Sequence, residues 1–242
     1  MKISIIIACY NSETTILRSI NSAVNQTYKN IEIVIVDGGS TDSTLDIVKS
    51  AKGSHDVLIF SEPDDGIADA WNKGVKLSTG DYIYFLNSDD YIDSNYIENV
   101  VKKINNNSRN LVYGNTFLVN EGGKVIKDYT ARYKEISRYL GFGFFFTSVF
   151  IHRSVFTSIG GFNVNRKIAI DTDFLFRAEA NGVSFQSHGQ YNYMQVGGVS
   201  QKYRVNAYKE YFDVMRTNGY SKVICYLFYF RIKVIEFIRG LN

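Results

Sequence analysis

The sequence predicts an α/β fold on a mainly parallel sheet flanked by helices, and three observations carry that prediction. Short apolar runs alternate with helix-like stretches through the first 90 or so residues. Those runs are apolar at nearly every position, as in parallel strands covered on both faces. Each run then stops in polar residues: Tyr10-Asn11, Asp37, Glu62-Pro63-Asp64-Asp65 and Asn87-Ser88-Asp89-Asp90. Parallel sheets bind ligands at the C-terminal ends of their strands, so the four stops mark one site.

The elements follow in order. Ile3–Ala8 is a first strand, and Ser12 caps a helix over roughly 14–25. Ile31–Val36 is a second strand. Gly38-Gly39-Ser40-Thr41-Asp42 supplies loop and cap for a helix near 43–51. Val57–Ser61 is a third strand, Gly66–Leu77 is helical, and Tyr82–Leu86 is a fourth strand. A helix begins near Tyr91, with Ser88, Asp89 or Asp90 as candidate caps, and ends at the polar turn "KINNNSRN" (103–110). Beyond Leu111–Tyr113 the pattern loosens into a hairpin around Glu121-Gly122-Gly123. Three regions result: 1–113, 114–203 building on the first sheet, and a basic, aromatic helical tail at 204–242.

Composition narrows the classes. At 242 residues the chain accommodates one large α/β domain or two small ones sharing a core. Hydrophobic content of 45% and charged content of 21% are ordinary for a soluble enzyme. The 15% aromatic content suits core filling, sugar-stacking walls or a membrane-facing surface. A net charge of +3 is too small to argue for nucleic acid as a partner, and none is expected. From Gln201 onward eight Lys/Arg face three acids, so the tail is +5 and the rest of the chain −2. Cys9 and Cys225 form neither a disulfide framework nor a metal-ligand spacing, which points to a reducing compartment. "MKISIIIAC" is too short for a signal sequence, and no run reaches the roughly 18 uncharged residues of a membrane span. A cytoplasmic location is expected.

Chemistry concentrates at the strand ends. Asp89 and Asp90 repel each other unless a cation lies beside them. A helix cap is one reading. The other is a Mg²⁺ or Mn²⁺ held by one or two carboxylates and by substrate phosphates, neutralising a departing diphosphate. Asp37 stands where a strand-end carboxylate accepts hydrogen bonds from a base or ribose, and the loop after it lacks GxGxxG. With Tyr10 and Asp37 at the same edge, the metal–nucleotide reading gains over the cap.

Several stretches together resemble the family 2 glycosyltransferases of GT-A fold: "SIIIACYNSE" (4–13), "NIEIVIVDGGSTDST" (30–44), "DDGIADAWNKGVKLSTGDYIYFLNSDD" (64–90), "IGGFN" (159–163), "DTDFLFRAEANG" (171–182) and "GGVS" (197–200). The resemblance spans roughly residues 3–200. It implies a nucleotide-binding sheet, a smaller acceptor-side region and C-terminal helices. Tyr10 would stack on a uracil-type base and Asp37 would hydrogen-bond it. Asp65, Asn72 and Lys73 would lie beside ribose and diphosphate, and Asn11 and Ser88 complete the nucleotide-binding set. Asp89 would hold Mn²⁺ or Mg²⁺ as the closing acid of the DxD motif, written here Asn87-Ser88-Asp89. Asp171 would match the catalytic base. Two positions depart from the pattern: Asn87 replaces the commoner Asp, and Ala8 stands where Pro or Thr is frequent.

Inversion at the sugar requires a base opposite the leaving diphosphate, which fits Asp171 at the start of an amphipathic helix. Capping that helix is the alternative role, and Asp173 is the alternative base. Gly160-Gly161 turns under the acceptor pocket or makes a plain tight turn. "GGVSQKYR" (197–204) reads as a lid over the diphosphate or a solvated loop. His188 follows a predicted strand and is an ordinary histidine or an extra metal ligand. The tail reads as an interfacial helix or as one packed on the body or a second copy. The family implies an inverting hexosyl- or N-acetylhexosaminyltransferase. It would move sugar from a UDP-sugar to a saccharide acceptor, lipid-linked at the inner membrane face, in O-antigen, capsule or exopolysaccharide assembly. Two other classes compete: a non-catalytic nucleotide- or glycan-binding module, and a sugar nucleotidyltransferase. The latter calls for a Gly-rich basic loop where this chain has "CYNSETT".

Overall fold

The computed structural model describes residues 1–51, 53–105, 109–133, 141–198, 202–227, 230 and 234. Its eight strands form one sheet in the order β3-β2-β1-β4-β7-β5-β6, with β8 paired to β5. β1 (Ile3–Cys9), β2 (Ile31–Asp37), β3 (Val57–Ser61) and β4 (Tyr82–Phe85) are mutually parallel. Register sets Cys9 opposite Asp37 and Asp37 opposite Ser61, which gathers the polar stops on one edge. β7 (Phe150–His152) runs antiparallel to β4 and to β5 (Asn110–Val119). β6 (Val125–Tyr129) closes the expected hairpin with β5, and β8 (Ser184–Gln195) runs parallel to β5. The 113/114 division therefore falls inside β5, and both regions share one sheet.

Helices α1 (Ile16–Val24), α2 (Thr44–Ser50) and α3 (Ile67–Leu77) join the parallel strands. α4 (Tyr96–Val101), α5 (Arg153–Ile159), α6 (Ile170–Ala180) and α7 (Arg204–Thr217) follow. Two hydrophobic layers lie on either side of the sheet. Ile5, Ile20, Ile33 and Tyr84 belong to one; Ile6, Val34, Trp71 and Phe174 belong to the other. Alternate residues of β1 and β2 thus enter opposite layers, which explains why their runs are apolar throughout.

The aromatic surplus serves mainly the core. Trp71 contacts Phe85 and Phe162 at 5.1 and 5.0 Å between centroids, and Phe162 contacts Phe174 at 4.8 Å, which ties α3, β4 and α6 together.

Four expectations need correction. β3 is the sheet's edge strand, and its Leu58 is exposed instead of covered on both faces. The helix after β4 begins at Tyr96, not Tyr91, because Tyr91 instead makes an antiparallel bridge to Tyr193. Ser88, Asp89 and Asp90 therefore cap no helix. α1 begins at Ile16: the Ser12 carbonyl accepts its first N–H bonds, while the Ser12 hydroxyl turns to Tyr10 O and Ser88. Finally, α6 is not amphipathic. Ile170, Asp173, Phe174, Leu175, Phe176 and Ala178 are buried around most of its circumference, since it lies between the sheet and α7.

Candidate active site

Asp37 ends β2 fully buried. Its carboxylate accepts from the Ser40 N–H (3.2 Å) and hydroxyl (2.5 Å) and from the Ser61 hydroxyl (2.7 Å). Those donors fix the carboxylate's direction and leave it lone pairs for a further donor. Burial, then the Asp37 charge, pushes the neighbouring Cys9 thiol up to about 12, so Cys9 is an inert core residue. Tyr10, one residue past β1, turns its ring outward and is 60% exposed. Asn11 adopts φ +46°, a conformation Asn tolerates better than most residues. Its side-chain oxygen accepts from the Thr41 N–H (2.9 Å) and its own N–H donates to the Ser40 hydroxyl (2.9 Å). The β1 and β2 loops are thereby tied together.

Asp64 reaches the same edge. A Cβ on Gly38 would fall 2.5 Å from the Asp64 carboxylate, so the glycine permits the approach.

The Asn87-Ser88-Asp89-Asp90 turn is built around a cation that the sequence reading missed. Arg18, from α1, donates to the Asp89 carbonyl (3.1 Å) and to the Gln195 side chain (2.6 Å). It also lies 4.7 Å over the Tyr91 ring, which stacks on Tyr193. Asp90 is buried and accepts from the Gln195 N–H (2.9 Å) and the Asn87 amide (3.0 Å). Burial and the Asp89 charge push its carboxyl well up, against those donors and Arg18. Asp89 is half-buried and raised chiefly by desolvation, with Arg18 pulling the other way. Among the described residues its carboxylate makes no ion pair. The Ser88 and Ser12 hydroxyls share a hydrogen bond (3.1 Å).

No cluster of three or more His, Cys, Asp or Glu side chains among the described residues could hold a metal alone. One unpaired carboxylate beside a diphosphate is nevertheless the donor set on which Mg²⁺ or Mn²⁺ commonly relies. Asp89 fits that arrangement.

The other predicted residues join the sheet edge to the segment ahead of α6. The Asn72 amide pairs both ways with Phe162, donating to its carbonyl (2.9 Å) and accepting from its N–H (2.8 Å). Gly161 sits so close that a Cβ there would lie 2.3 Å from the Asn72 oxygen. Lys73 bridges Glu62 (2.8 Å) and Asp69 (3.0 Å) and donates to the Pro63 carbonyl (3.1 Å). Asp65 is exposed, and its carbonyl accepts from Lys167 (2.9 Å). Asn72 and Lys73 thus have protein partners that the sequence did not disclose.

Asp171 opens α6 half-buried. Its carboxylate accepts from the Thr172 N–H (2.7 Å) and hydroxyl (3.3 Å) and has no ion-pair partner among the described residues. Burial raises it above the ordinary carboxylate range, against the Thr172 donors. Asp173 differs in every respect. It is buried, paired with Arg177 at 2.8 Å and faces Arg166 at 3.7 Å. Its carboxylate is thus engaged with guanidiniums, whereas that of Asp171 is not. At the opposite end of α6, Phe176, Glu179, Tyr220 and Ile224 line a cavity of about 390 Å³, remote from Asp171.

His188 lies within β8, not after a strand, and is buried. Its Nε2 donates to the Ser148 carbonyl (3.0 Å) and its Nδ1 accepts from the Gln190 N–H (3.1 Å). Burial lowers it to about 4. It is a neutral core histidine. Residues 199–201 of the expected lid lie outside the described residues, as do 228–229, 231–233 and 235–242 of the tail.

A parallel half-sheet ending in Tyr10, Asp37 and an Asn-Ser-Asp turn, extended across the same sheet to an acid-led helix, is an α/β fold of GT-A type. Solved structures share it. S. aureus TarS 1-349 in complex with UDP-GlcNAc superposes with a TM-score of 0.71 at 21% identity, over 90% of this chain and 65% of that one. The mannosyltransferase PcManGT of Pyrobaculum calidifontis, in complex with GDP-Man and Mn2+, superposes at 0.69 and 16% identity, over 92% and 66%. The family description "Glycosyl transferase family 2" matches residues 4–174. The chain belongs to glycosyl transferase family 2.

Among curated relatives, an Escherichia coli enzyme is 46% identical over 41% of this chain and 39% of its own length. It is named UDP-Glc:alpha-D-GlcNAc-diphosphoundecaprenol beta-1,3-glucosyltransferase WfaP. A PGL/p-HBAD biosynthesis glycosyltransferase of Mycobacterium bovis is 31% identical over 74% of this chain and 70% of its own. Glycosyltransferase GlyA of Streptococcus pneumoniae is 37% identical over 50% of this chain, a stretch that spans only 17% of that protein.

Proposed function

We propose that the chain is a metal-dependent, inverting glycosyltransferase that moves a sugar from a UDP-sugar to a saccharide acceptor. The observation that carries this reading is Asp171. It is a half-buried carboxylate, raised by burial and free of cationic partners among the described residues. The segment before it is joined to the nucleotide edge through Lys167 and Asp65. In the proposed reaction the acceptor oxygen bonds to the anomeric carbon as its proton passes to Asp171. The bond to the diphosphate breaks on the opposite face, and the diphosphate leaves with the electron pair. Asp173 holds Arg177 and Arg166 instead of taking the proton.

On the donor side, the exposed Tyr10 ring stacks on uracil, and Asp37, aimed by Ser40 and Ser61, accepts from its N–H. Asn11 and Ser88 hold the loops around the nucleotide, and Asn72 acts by anchoring Phe162. Asp65 and Lys73 flank ribose and diphosphate. Asp89 would hold Mn²⁺ or Mg²⁺, which supplies charge neutralisation to the leaving diphosphate when bound.

The acceptor is lipid-linked, at the cytoplasmic face of the membrane, in cell-surface polysaccharide assembly. The relative WfaP, named for a diphosphoundecaprenol-linked acceptor, supports that assignment. So does the tail, where Val223, Tyr226, Leu227 and Phe230, spaced i, i+3, i+4 and i+7, are each 66–68% exposed while Cys225 is buried. No helix among the described residues is long and apolar enough to cross a membrane.

The test is turnover of UDP-glucose and UDP-GlcNAc with Mn²⁺, alongside calorimetry of UDP. Turnover that is abolished in Asp171→Asn with UDP affinity retained supports the enzyme. UDP binding with no turnover of either donor would return the chain to a binding module.

A further inference from the structure

The turn that carries Asp171 is held by a residue far along the chain. Residues 160–169 lie in neither helix nor strand, and Ala169 at the α6 N-cap supplies no side-chain cap. Backbone N–H groups outside helix and strand need partners from elsewhere. Here the N–H groups of Lys167, Ile168 and Ala169 all donate to the Glu210 carboxylate of α7, at 2.8, 2.6 and 2.5 Å. Negative charge is favoured at a helix N-terminus, and hydrogen bonds to a carboxylate are the stronger kind. Arg166, one residue earlier, bonds to Asp213 and Thr217 of α7 and lies 3.7 Å from Asp173 of α6. Lys167 reaches forward to the Asp65 carbonyl at 2.9 Å. α7 therefore grips the chain immediately before Asp171, and that same stretch touches the nucleotide edge.

We propose that Glu210 is the positioning residue for Asp171. Its carboxylate sets the backbone of 167–169, and through it the place of the Asp171 side chain at the first turn of α6. The inference rests on the reading of Asp171 as the base. Geometry explains why a carboxylate is required. Two acceptor oxygens serve three N–H donors, whereas a glutamine offers one oxygen and turns an NH₂ toward the remaining donor. A role confined to fastening α7 would cost stability alone. A positioning role lowers kcat while leaving donor binding as it was.

The experiment compares the full chain with Glu210→Gln and Glu210→Asp. It follows hydrogen exchange of the 164–172 backbone, UDP affinity with Mn²⁺, and kcat and KM for UDP-glucose. The expected result for Glu210→Gln is at least tenfold faster exchange confined to 167–172. A kcat at least tenfold lower accompanies it, with KM and UDP affinity within twofold. Glu210→Asp, which keeps both oxygens, falls between the two. Unchanged exchange, or faster exchange with kcat intact, overturns the proposal. If the wild type turns over no UDP-sugar, the functional reading fails and exchange alone decides. Loosening confined to 167–172 then still supports the clamp, and loosening spread over α6 and α7 overturns it.

Discussion

The edge at the ends of β1–β4 and the turn at the head of α6 solve the same problem, aiming a carboxylate, by different means. At the sheet edge the aiming groups come from the adjoining strand ends and loops, 3 to 30 residues away: Asp37 is held by Ser40 and Ser61, and the two loops by Asn11. At α6 they come from afar, with Glu210 from α7, Asn72 from α3 and the Asp65 carbonyl all converging on residues 161–169. A binding edge tolerates local construction because its ligand brings many contacts. A base must stay within hydrogen-bond reach of one proton, which calls for support from several elements.

The largest effect should come from the α6 side. Asp171→Asn should lower transfer by about 10²- to 10⁴-fold, the usual scale of general-base catalysis, with UDP affinity unchanged by calorimetry. As the proposed base, the same residue should set the acid limb of the pH profile. Because burial raises its pKa, kcat/KM should fall with decreasing pH at a midpoint above the ordinary carboxylate value of about 3.9. A midpoint at or below that value would remove Asp171 from the base role.

Next comes the sheet edge. Asp89→Asn should weaken Mn²⁺-dependent UDP binding by about 2–5 kcal/mol, as when one member of a desolvated charge pair is removed. Equal UDP affinity with and without Mn²⁺ in the wild type would break the metal reading. Tyr10→Ala should cost about 1–3 kcal/mol of UDP affinity through lost stacking, with kcat little changed. A fall in kcat alone would transfer Tyr10 to the catalytic side of the comparison.

The smallest effect belongs to the buried core beside α4 and β7. His188 is neutral in the fold with its pKa lowered to about 4, so the unfolded chain takes up the proton first as pH falls below about 6.5. Its stabilising contribution is whole above that pH and is lost on the way down to about 4. Between pH 6.5 and 5.5 wild type should lose about 1 kcal/mol more stability than His188→Gln, read from denaturant melts at each pH. Parallel pH dependence of the two proteins would exclude the neutral histidine as its source.

Sequence reading succeeded where structure is local. Ile3–Cys9, Ile31–Asp37 and Tyr82–Phe85 were legible because parallel strands between two apolar layers must be apolar throughout. Tyr10, Asp37 and Asp89 were legible as candidates because each stands at or just past the end of such a strand. Asp171 entered through the family resemblance; by position alone it was equally a helix cap.

What remained hidden depended on partners separated by tens of residues. Nothing near Asp90 announces that Arg18, 72 positions earlier, lies against this turn, or that Gln195 donates to its carboxylate. The faint signal was on α1, where Leu17 faces solvent and Arg18 turns inward, against their polarities. Asn72 entered as a nucleotide contact through the family resemblance, and nothing near it announces its backbone partner, Phe162, 90 residues away. The sequence by itself determined the parallel half-sheet and the acids at its edge, since periodicity and strand ends are properties of neighbouring residues. Only the tertiary structure decided which acid is paired, which is free and what holds it. Hydrogen bonds and burial are set by whichever side chains the folded chain brings within about 3 Å.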